Sequence, residues 1–284
     1  MSDTDRVKVI TRCFSVMIGL LWIVVLWKGV PIDPVDTALP AGAGADPRVF
    51  SWHSFLIDST NPMWPLTMQS LMWVGFFVCM GELLIRWFCA NRQKQYAREF
   101  DIRSNRRLEL ADGQFVELSA NEVLKPEFLA AIYRSKADAG VMQPDSMIAA
   151  FFETINYQFQ SSNDVGDVYS SVSSKIDLEL HAVDLNYTAV RYIAWLIPTL
   201  GFVGTVIGIV QALGNASVYS QSEQLLIKVV PYLGTAFYTT LLALLLSAII
   251  MFMAQVIQAA EERIVNDIGK YCLDSIVSQL KARS

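Results

Sequence analysis

The sequence predicts an all-α integral membrane protein. We expect four transmembrane helices, with the third and fourth extending into a helical cytoplasmic domain. Three observations predict this fold class. The 284 residues are 53% hydrophobic and only 17% charged. The apolar residues are concentrated in four long runs, which is typical of membrane spans. A helical spacing of apolar residues precedes the third run and continues beyond the fourth.

The same composition argues against several other classes of protein. The four cysteines form no CxxC pair and the two histidines lie far apart, so neither a disulfide framework nor a metal site is indicated. No basic block in a soluble segment is interleaved with aromatic residues, which argues against nucleic-acid binding. Because a Walker motif and a GxSxG motif are both absent, we expect no enzyme activity and no cofactor.

The first predicted span covers residues 13–30, after a polar cytoplasmic N-terminus at 1–12. A signal peptide is the alternative, but Gly29, Val30 and Pro31 follow where a small-residue cleavage site would lie. Residues 31–65 are rich in proline and predict an irregular periplasmic loop. The apolar residues Trp52, Phe55, Leu56 and Ile57 within it belong either to a short helix at the membrane surface or to a packed loop, and both interpretations stay open.

The second predicted span covers residues 66–89. It leads into the densest basic cluster of the chain, Arg86–Arg107, whereas the loop 31–65 has one basic residue. By the positive-inside rule, this places residues 90–190 and both termini in the cytoplasm. Glu82 and Arg86 are four residues apart, a spacing that lets them pair on one helix face.

The cytoplasmic segment 90–190 has a mixed pattern. Residues 111–113 (ADG) lie between two short apolar groups and predict a hairpin turn. Helices are predicted at Pro126–Lys136 and Pro144–Phe159, each with proline in its first turn. From Val165 the apolar spacing is helical and no proline occurs before Pro198, so an unbroken helix into the third span is predicted.

The last two predicted spans cover residues 191–213 and 229–254. A short polar periplasmic loop, 214–228, joins them, and a cytoplasmic C-terminal helix follows at 255–284. The charge-free run from Val229 to Ala260 would be about 48 Å long as a helix, against about 30 Å for the hydrocarbon core. The helix must tilt, kink near Pro231 or continue past the membrane, and we favour continuation.

Small residues form one stripe on each of these spans. The stripes predict a close helix contact, and their members are Gly201, Gly204, Thr205, Gly208 and Ala212 on one helix and Ala236, Thr240, Ala243 and Ser247 on the next. Thr205 and Thr240 both fall near mid-membrane, about 20 Å and 16 Å from opposite faces. Each either bonds its own i−4 carbonyl or lines an ion path. Pro198 and Pro231 each free a backbone carbonyl and mark either hinges or kinks.

These two segments read IPTLGFVGTVIGIVQAL (197–213) and LGTAFYTTLLALLLSAI (233–249). They resemble the MotA/TolQ/ExbB proton channel family. In the family's signature a Pro, a Gly and then GTV precede another Gly in one helix, and a Thr follows a small apolar run in the next. The resemblance implies an ion path lined by Thr205 and Thr240, with Thr239 beside it, and a hinge at Pro198.

The resemblance also implies an assembly. Members of this family form a pentameric ring in the bacterial inner membrane, around a single-span partner of the ExbD/TolR/MotB type. An Asp of that partner carries the ion, expected to be H⁺, and ion flow drives mechanical work. This fits spans three and four, which have no ionisable carboxylate of their own. A non-conducting membrane scaffold is the alternative. A solute transporter is disfavoured because spans three and four have no second copy.

Overall fold

The computed structural model describes residues 67–99, 107–109, 115–117, 146–162, 164–218 and 222–280, with the single positions 17 and 21. These ranges contain five long helices: α1 (Met68–Glu99), α2 (Met147–Ser162), α3 (Val165–Asn186), α4 (Thr188–Val218) and α5 (Ser222–Ser275). A 3-10 turn, Val277–Gln279, follows α5. The predicted span 13–30 (apart from positions 17 and 21), the loop 31–65 and the helix Pro126–Lys136 lie outside the described residues.

Three stretches within the described residues are long and apolar enough to cross a membrane. They are Met68–Arg98, Val165–Gly214 and Tyr232–Ser275. Large apolar side chains on the outer faces of α4 and α5 remain exposed, among them Phe202, Leu213 and Phe237. Exposed apolar faces of this extent are typical of surfaces that contact lipid or other chains.

One short hairpin departs from the predicted all-α class. Strands β1 (Arg107–Glu109) and β2 (Phe115–Glu117) pair antiparallel, with Leu108 opposite Val116. The two strands flank residues 111–113, where a hairpin turn is predicted, and the turn residues themselves lie outside the described ranges. Elsewhere in the described ranges the regular structure is helical.

Helix α1 begins close to the start of the predicted second span and extends beyond the end of that span. Thr67 caps it, because its Oγ1 accepts a hydrogen bond from the backbone N–H of Ser70 at 3.3 Å. The predicted span ended at residue 89, but α1 continues to Glu99. The added residues include Ala, Arg, Lys and Gln, which favour helix. Their polarity ends the apolar run without ending the helix.

The predicted unbroken helix from Val165 is interrupted at one residue, Tyr187. Its N–H bonds Asp184 O at 3.1 Å, which is a tighter i−3 turn. The carbonyl of Asn186 accepts a hydrogen bond from Arg86 Nη2 at 3.0 Å. This contact competes with the helical bond that the same carbonyl would accept, which accounts for a break that no proline or glycine marks.

Helix α5 has 54 residues, or about 80 Å at 1.5 Å per residue. It is one continuous helix from Ser222 through residues 255–275. Both helices extend into the predicted loop 214–228, because α4 reaches Val218 and α5 starts at Ser222. The polar sequence there contains no proline, and polar residues alone do not break a helix.

The chain divides into two compact units, Met1–Leu84 with Thr188–Ala254 and Ile85–Tyr187 with Gln255–Ser284. The second unit has an apolar core from α2, α3 and the end of α5. Its fully buried large side chains include Phe151, Phe152 and Phe159 of α2. Burial raises the pKa of the Cys272 thiol in this core to about 12, so this cysteine stays neutral and unreactive.

Polar contacts fix the elements of the second unit around that core. Lys175 of α3 donates from Nζ to Ala150 O at 2.7 Å and to Thr154 Oγ1 at 2.8 Å, which ties α3 to α2. The Gln93 amide oxygen of α1 accepts the N–H of Met147 at 2.9 Å and so caps α2. Gly269 of α5 admits Ile176, because a Cβ there would lie 2.5 Å from Ile176 Cδ1.

Candidate functional site

The two stripes of small residues face each other where α4 packs against α5. A Cβ placed on Gly201 would overlap Ala243 Cβ, and one on Gly208 would lie 2.7 Å from Ala236 Cβ. A Cβ on Gly204 would lie 2.9 Å from Thr239 Oγ1. The structure therefore places the three glycines of the first stripe against Ala236, Thr239 and Ala243 of α5. The backbones approach closely because these positions of α4 carry no side chain.

Two hydroxyls and two carbonyls form a compact cluster within this contact. Thr205 Oγ1 is hydrogen-bonded to Thr240 Oγ1 across the helix pair. It lies 3.1 Å from Gly201 O and 3.2 Å from Ala236 O. Thr240 Oγ1 is 3.2 Å from Gly201 O and 3.5 Å from Ala236 O. Each threonine thus contacts its own i−4 carbonyl and also reaches the partner helix, so the local and the inter-helical roles coexist.

Thr239 lies beside this cluster. Its hydroxyl donates to Ala236 O at 2.8 Å, so that one carbonyl is approached by three threonine hydroxyls. The side chain is buried, and its Oγ1 and Cβ fill the space above Gly204. These contacts give Thr239 a packing role at the helix contact as well as a place next to the two facing hydroxyls.

Pro198 does not end α4, and the carbonyl that it frees has a partner. Proline has no N–H, so Ala194 O, four residues earlier, lacks its usual helical donor. Ser247 Oγ of α5 donates to this carbonyl at 2.7 Å. An unsatisfied carbonyl in an apolar environment is costly, so Ser247 stabilises the proline-containing turn. The other predicted hinge, Pro231, lies within the range of α5 and does not end that helix.

Replacing Ser247 with Ala should destabilise the protein by about 1–2 kcal/mol, because it leaves the Ala194 carbonyl without a donor. Thermal unfolding of the purified chain in detergent measures this change. The double variant S247A/P198A restores an N–H at position 198 and should recover most of the loss. A single variant as stable as the parent chain would contradict the capping role.

The cluster has the chemistry of a hydroxyl relay and carries no fixed charge. A hydroxyl both donates and accepts a hydrogen bond, so each threonine can pass a proton between neighbours without holding a net charge. From Tyr192 to Ser222 the sequence has no Asp, Glu, Lys or Arg. The run 229–260 of α5 is likewise free of these residues, so neither run offers a carboxylate that could hold a proton.

A second polar cluster, in the second unit, was not foreseen from the sequence. The Arg86 guanidinium lies 4.9 Å from the centre of the Tyr187 ring, and its Nη1 lies 3.9 Å from Glu261 Oε2. Arg86 thereby joins α1 to α5 and to the turn that separates α3 from α4. The sequence signal for this cluster is the single basic residue within the predicted span 66–89, and its pairing with Glu82 stays a prediction.

Residues 143–270 match the sequence model of the MotA/TolQ/ExbB proton channel family. The matched range contains α2, α3, α4 and most of α5, with both stripes and the threonine cluster. No curated protein and no solved structure matches the chain. The resemblance stated from the sequence is therefore confirmed for this segment.

Proposed function

Because residues 143–270 match the sequence model of the MotA/TolQ/ExbB proton channel family, we propose that the chain is the ring-forming subunit of a proton-driven motor. Five copies surround a single-span partner of the ExbD/TolR/MotB type in the bacterial inner membrane. Ion flow through this complex drives mechanical work in the cell envelope. The N- and C-termini face the cytoplasm, as the basic cluster after the predicted second span indicates.

The observation that carries this proposal is the pair of facing hydroxyls, Thr205 and Thr240. They lie in the family segment, on two apolar helices, at the depth expected for mid-membrane. A packing contact alone needs only small residues, and Gly201, Gly208 and Ala243 already supply these. Two hydroxyls that share the same two carbonyls add a polar path to an otherwise apolar contact.

The chemistry of the helix pair indicates which steps of proton transfer belong to the partner and which to this chain. The partner's Asp is the group that gains and loses a proton, because α4 and the membrane part of α5 offer no carboxylate. The threonine hydroxyls pass the proton to and from it. Pro198 and Pro231 supply bending points in the two helices, and Ser247 keeps the backbone satisfied near Pro198.

A non-conducting membrane scaffold is the second candidate. It is favoured by the close fit of the two stripes, which packs α4 against α5 without any fixed charge. Under this alternative, the threonine hydroxyls serve only to satisfy backbone carbonyls. The two functions differ in whether the assembled complex conducts ions.

Proton uptake into proteoliposomes separates these two functions. The chain co-expressed and co-purified with its single-span partner should admit H⁺ down an imposed pH gradient, read with a pH-sensitive dye. The chain alone, and the complex with the partner's Asp changed to Asn, should not. A parallel assay with an imposed Na⁺ gradient identifies the ion. A stable complex that conducts neither ion would establish the scaffold.

A further inference from the structure

A groove in the second unit takes no part in the proposed ion path. It lies between one face of α1, from Trp87 to Arg98, and one face of α5, from Ala260 to Tyr271. Ile148 of α2 contributes to its lining, and the volume is about 540 Å³. This is within the usual range of about 300–1,000 Å³ for sites that bind small molecules.

The charges around this groove are unbalanced. Its lining includes three exposed cations, Lys94, Arg98 and Arg263, and one carboxylate, Asp267. Within the residues that the structure describes, none of the three cations is ion-paired. A single exposed cation gains little from an ion pair. Three cations that line one cavity, however, create a positive potential that favours an anionic occupant.

The lining between the charges is apolar. Ala90, Ile148 and Ile268 are buried, and Trp87 is half-exposed at one end. A small, fully hydrated anion would make no favourable contact with this apolar lining. An anion that carries apolar groups beside its charge would satisfy both the cations and the apolar lining.

The position of the groove along α1 identifies the source of that anion. The predicted second span ends at residue 89, so the groove begins where α1 leaves the membrane and extends along the basic segment that follows. Trp is favoured at this level of a membrane. Basic pockets next to membrane helices on the cytoplasmic side bind anionic lipid headgroups.

We propose that this groove binds the headgroup of an anionic phospholipid from the cytoplasmic leaflet. Lys94, Arg98 and Arg263 contact the phosphate, and the apolar lining contacts the glycerol and the first acyl carbons. The lipid thereby links α1 to α5. The proposal requires that α1 spans the membrane, and it does not depend on ion conduction.

Native mass spectrometry of the full chain in detergent, titrated with phosphatidylglycerol or phosphatidylcholine, tests the proposal. The parent chain should bind phosphatidylglycerol in preference to phosphatidylcholine. The double variant K94Q/R263Q should bind phosphatidylglycerol about thirtyfold more weakly, because each basic residue near an anionic lipid contributes about fivefold. D267N should bind it about fivefold more tightly for the same reason.

The matched control is R92Q/K270Q. It also removes one cation from α1 and one from α5, at exposed positions that do not line the groove. It should keep the parent affinity, and all variants should keep the parent's thermal stability. Equal losses in the two double variants, or equal affinity for the two lipids, would overturn the proposal. Displacement of the lipid by an equal concentration of glycerol phosphate would overturn the lipid as occupant.

Discussion

Changing Thr205 to Val should lower proton uptake by the complex with its partner at least about tenfold, equivalent to about 1.4 kcal/mol in the barrier. T240V should have a similar effect. Valine keeps the shape of threonine but cannot donate or accept a hydrogen bond, so the link between the two hydroxyls is lost. The measurement is the initial rate of dye response in proteoliposomes that contain equal amounts of complex.

The control is Thr199, which lies on α4 six residues before Thr205. Its hydroxyl donates to Leu196 O of its own helix at 2.6 Å. T199V therefore removes a hydroxyl from the same helix without touching the cluster, and should leave proton uptake unchanged. The double variant T205V/T240V should show the same proton uptake as either single variant. Each single variant already removes the one hydrogen bond between the two hydroxyls, so the second substitution has nothing further to remove. Normal uptake in both T205V and T240V would exclude the threonines from the path.

Local sequence patterns identify the small-residue face of the helix contact more directly than the ends of the helices. The spacing of Gly201, Gly204 and Gly208 determines which face of α4 can approach another backbone, and this depends only on helical geometry. Composition likewise placed α1, α4 and α5 in the right segments. The ends of these helices do not follow from composition, because a helix can continue through polar residues, as α1 does from residue 90 to Glu99.

Local sequence patterns do not predict contacts between residues that are far apart in the chain. Arg86 meets Glu261 and Tyr187, but nothing in the local sequence of any of them indicates the other two. The hydrogen bond from Ser247 to Ala194 O could have been found. Pro198 frees that carbonyl by a fixed offset of four residues, and Ser247 lies on the same stripe as Thr240, seven residues further along α5.

The space around the glycines of α4 and α5 allows a direct test of the helix contact. At Gly201 and Gly208 an added Cβ meets another Cβ or a backbone atom, which cannot move aside as the end of a flexible side chain can. At Gly214 of α4 and Gly234 of α5 an added Cβ would have no heavy atom within 4 Å apart from the adjacent backbone of its own helix. The four positions therefore form a matched set with the same chemical change in the same two helices.

Gly201→Ala should destabilise the chain by about 3 kcal/mol, because its methyl group overlaps that of Ala243 and forces α4 and α5 apart. Gly208→Ala should act in the same direction, whereas Gly214→Ala and Gly234→Ala should be neutral or stabilise by up to about 1 kcal/mol, since alanine favours helix over glycine. The double variant G201A/A243G moves the methyl group from α5 to α4 and should recover most of the loss. Thermal unfolding of each variant in detergent measures these differences. Equal effects at all four glycines, or a double variant no more stable than G201A, would show that the two stripes do not face each other.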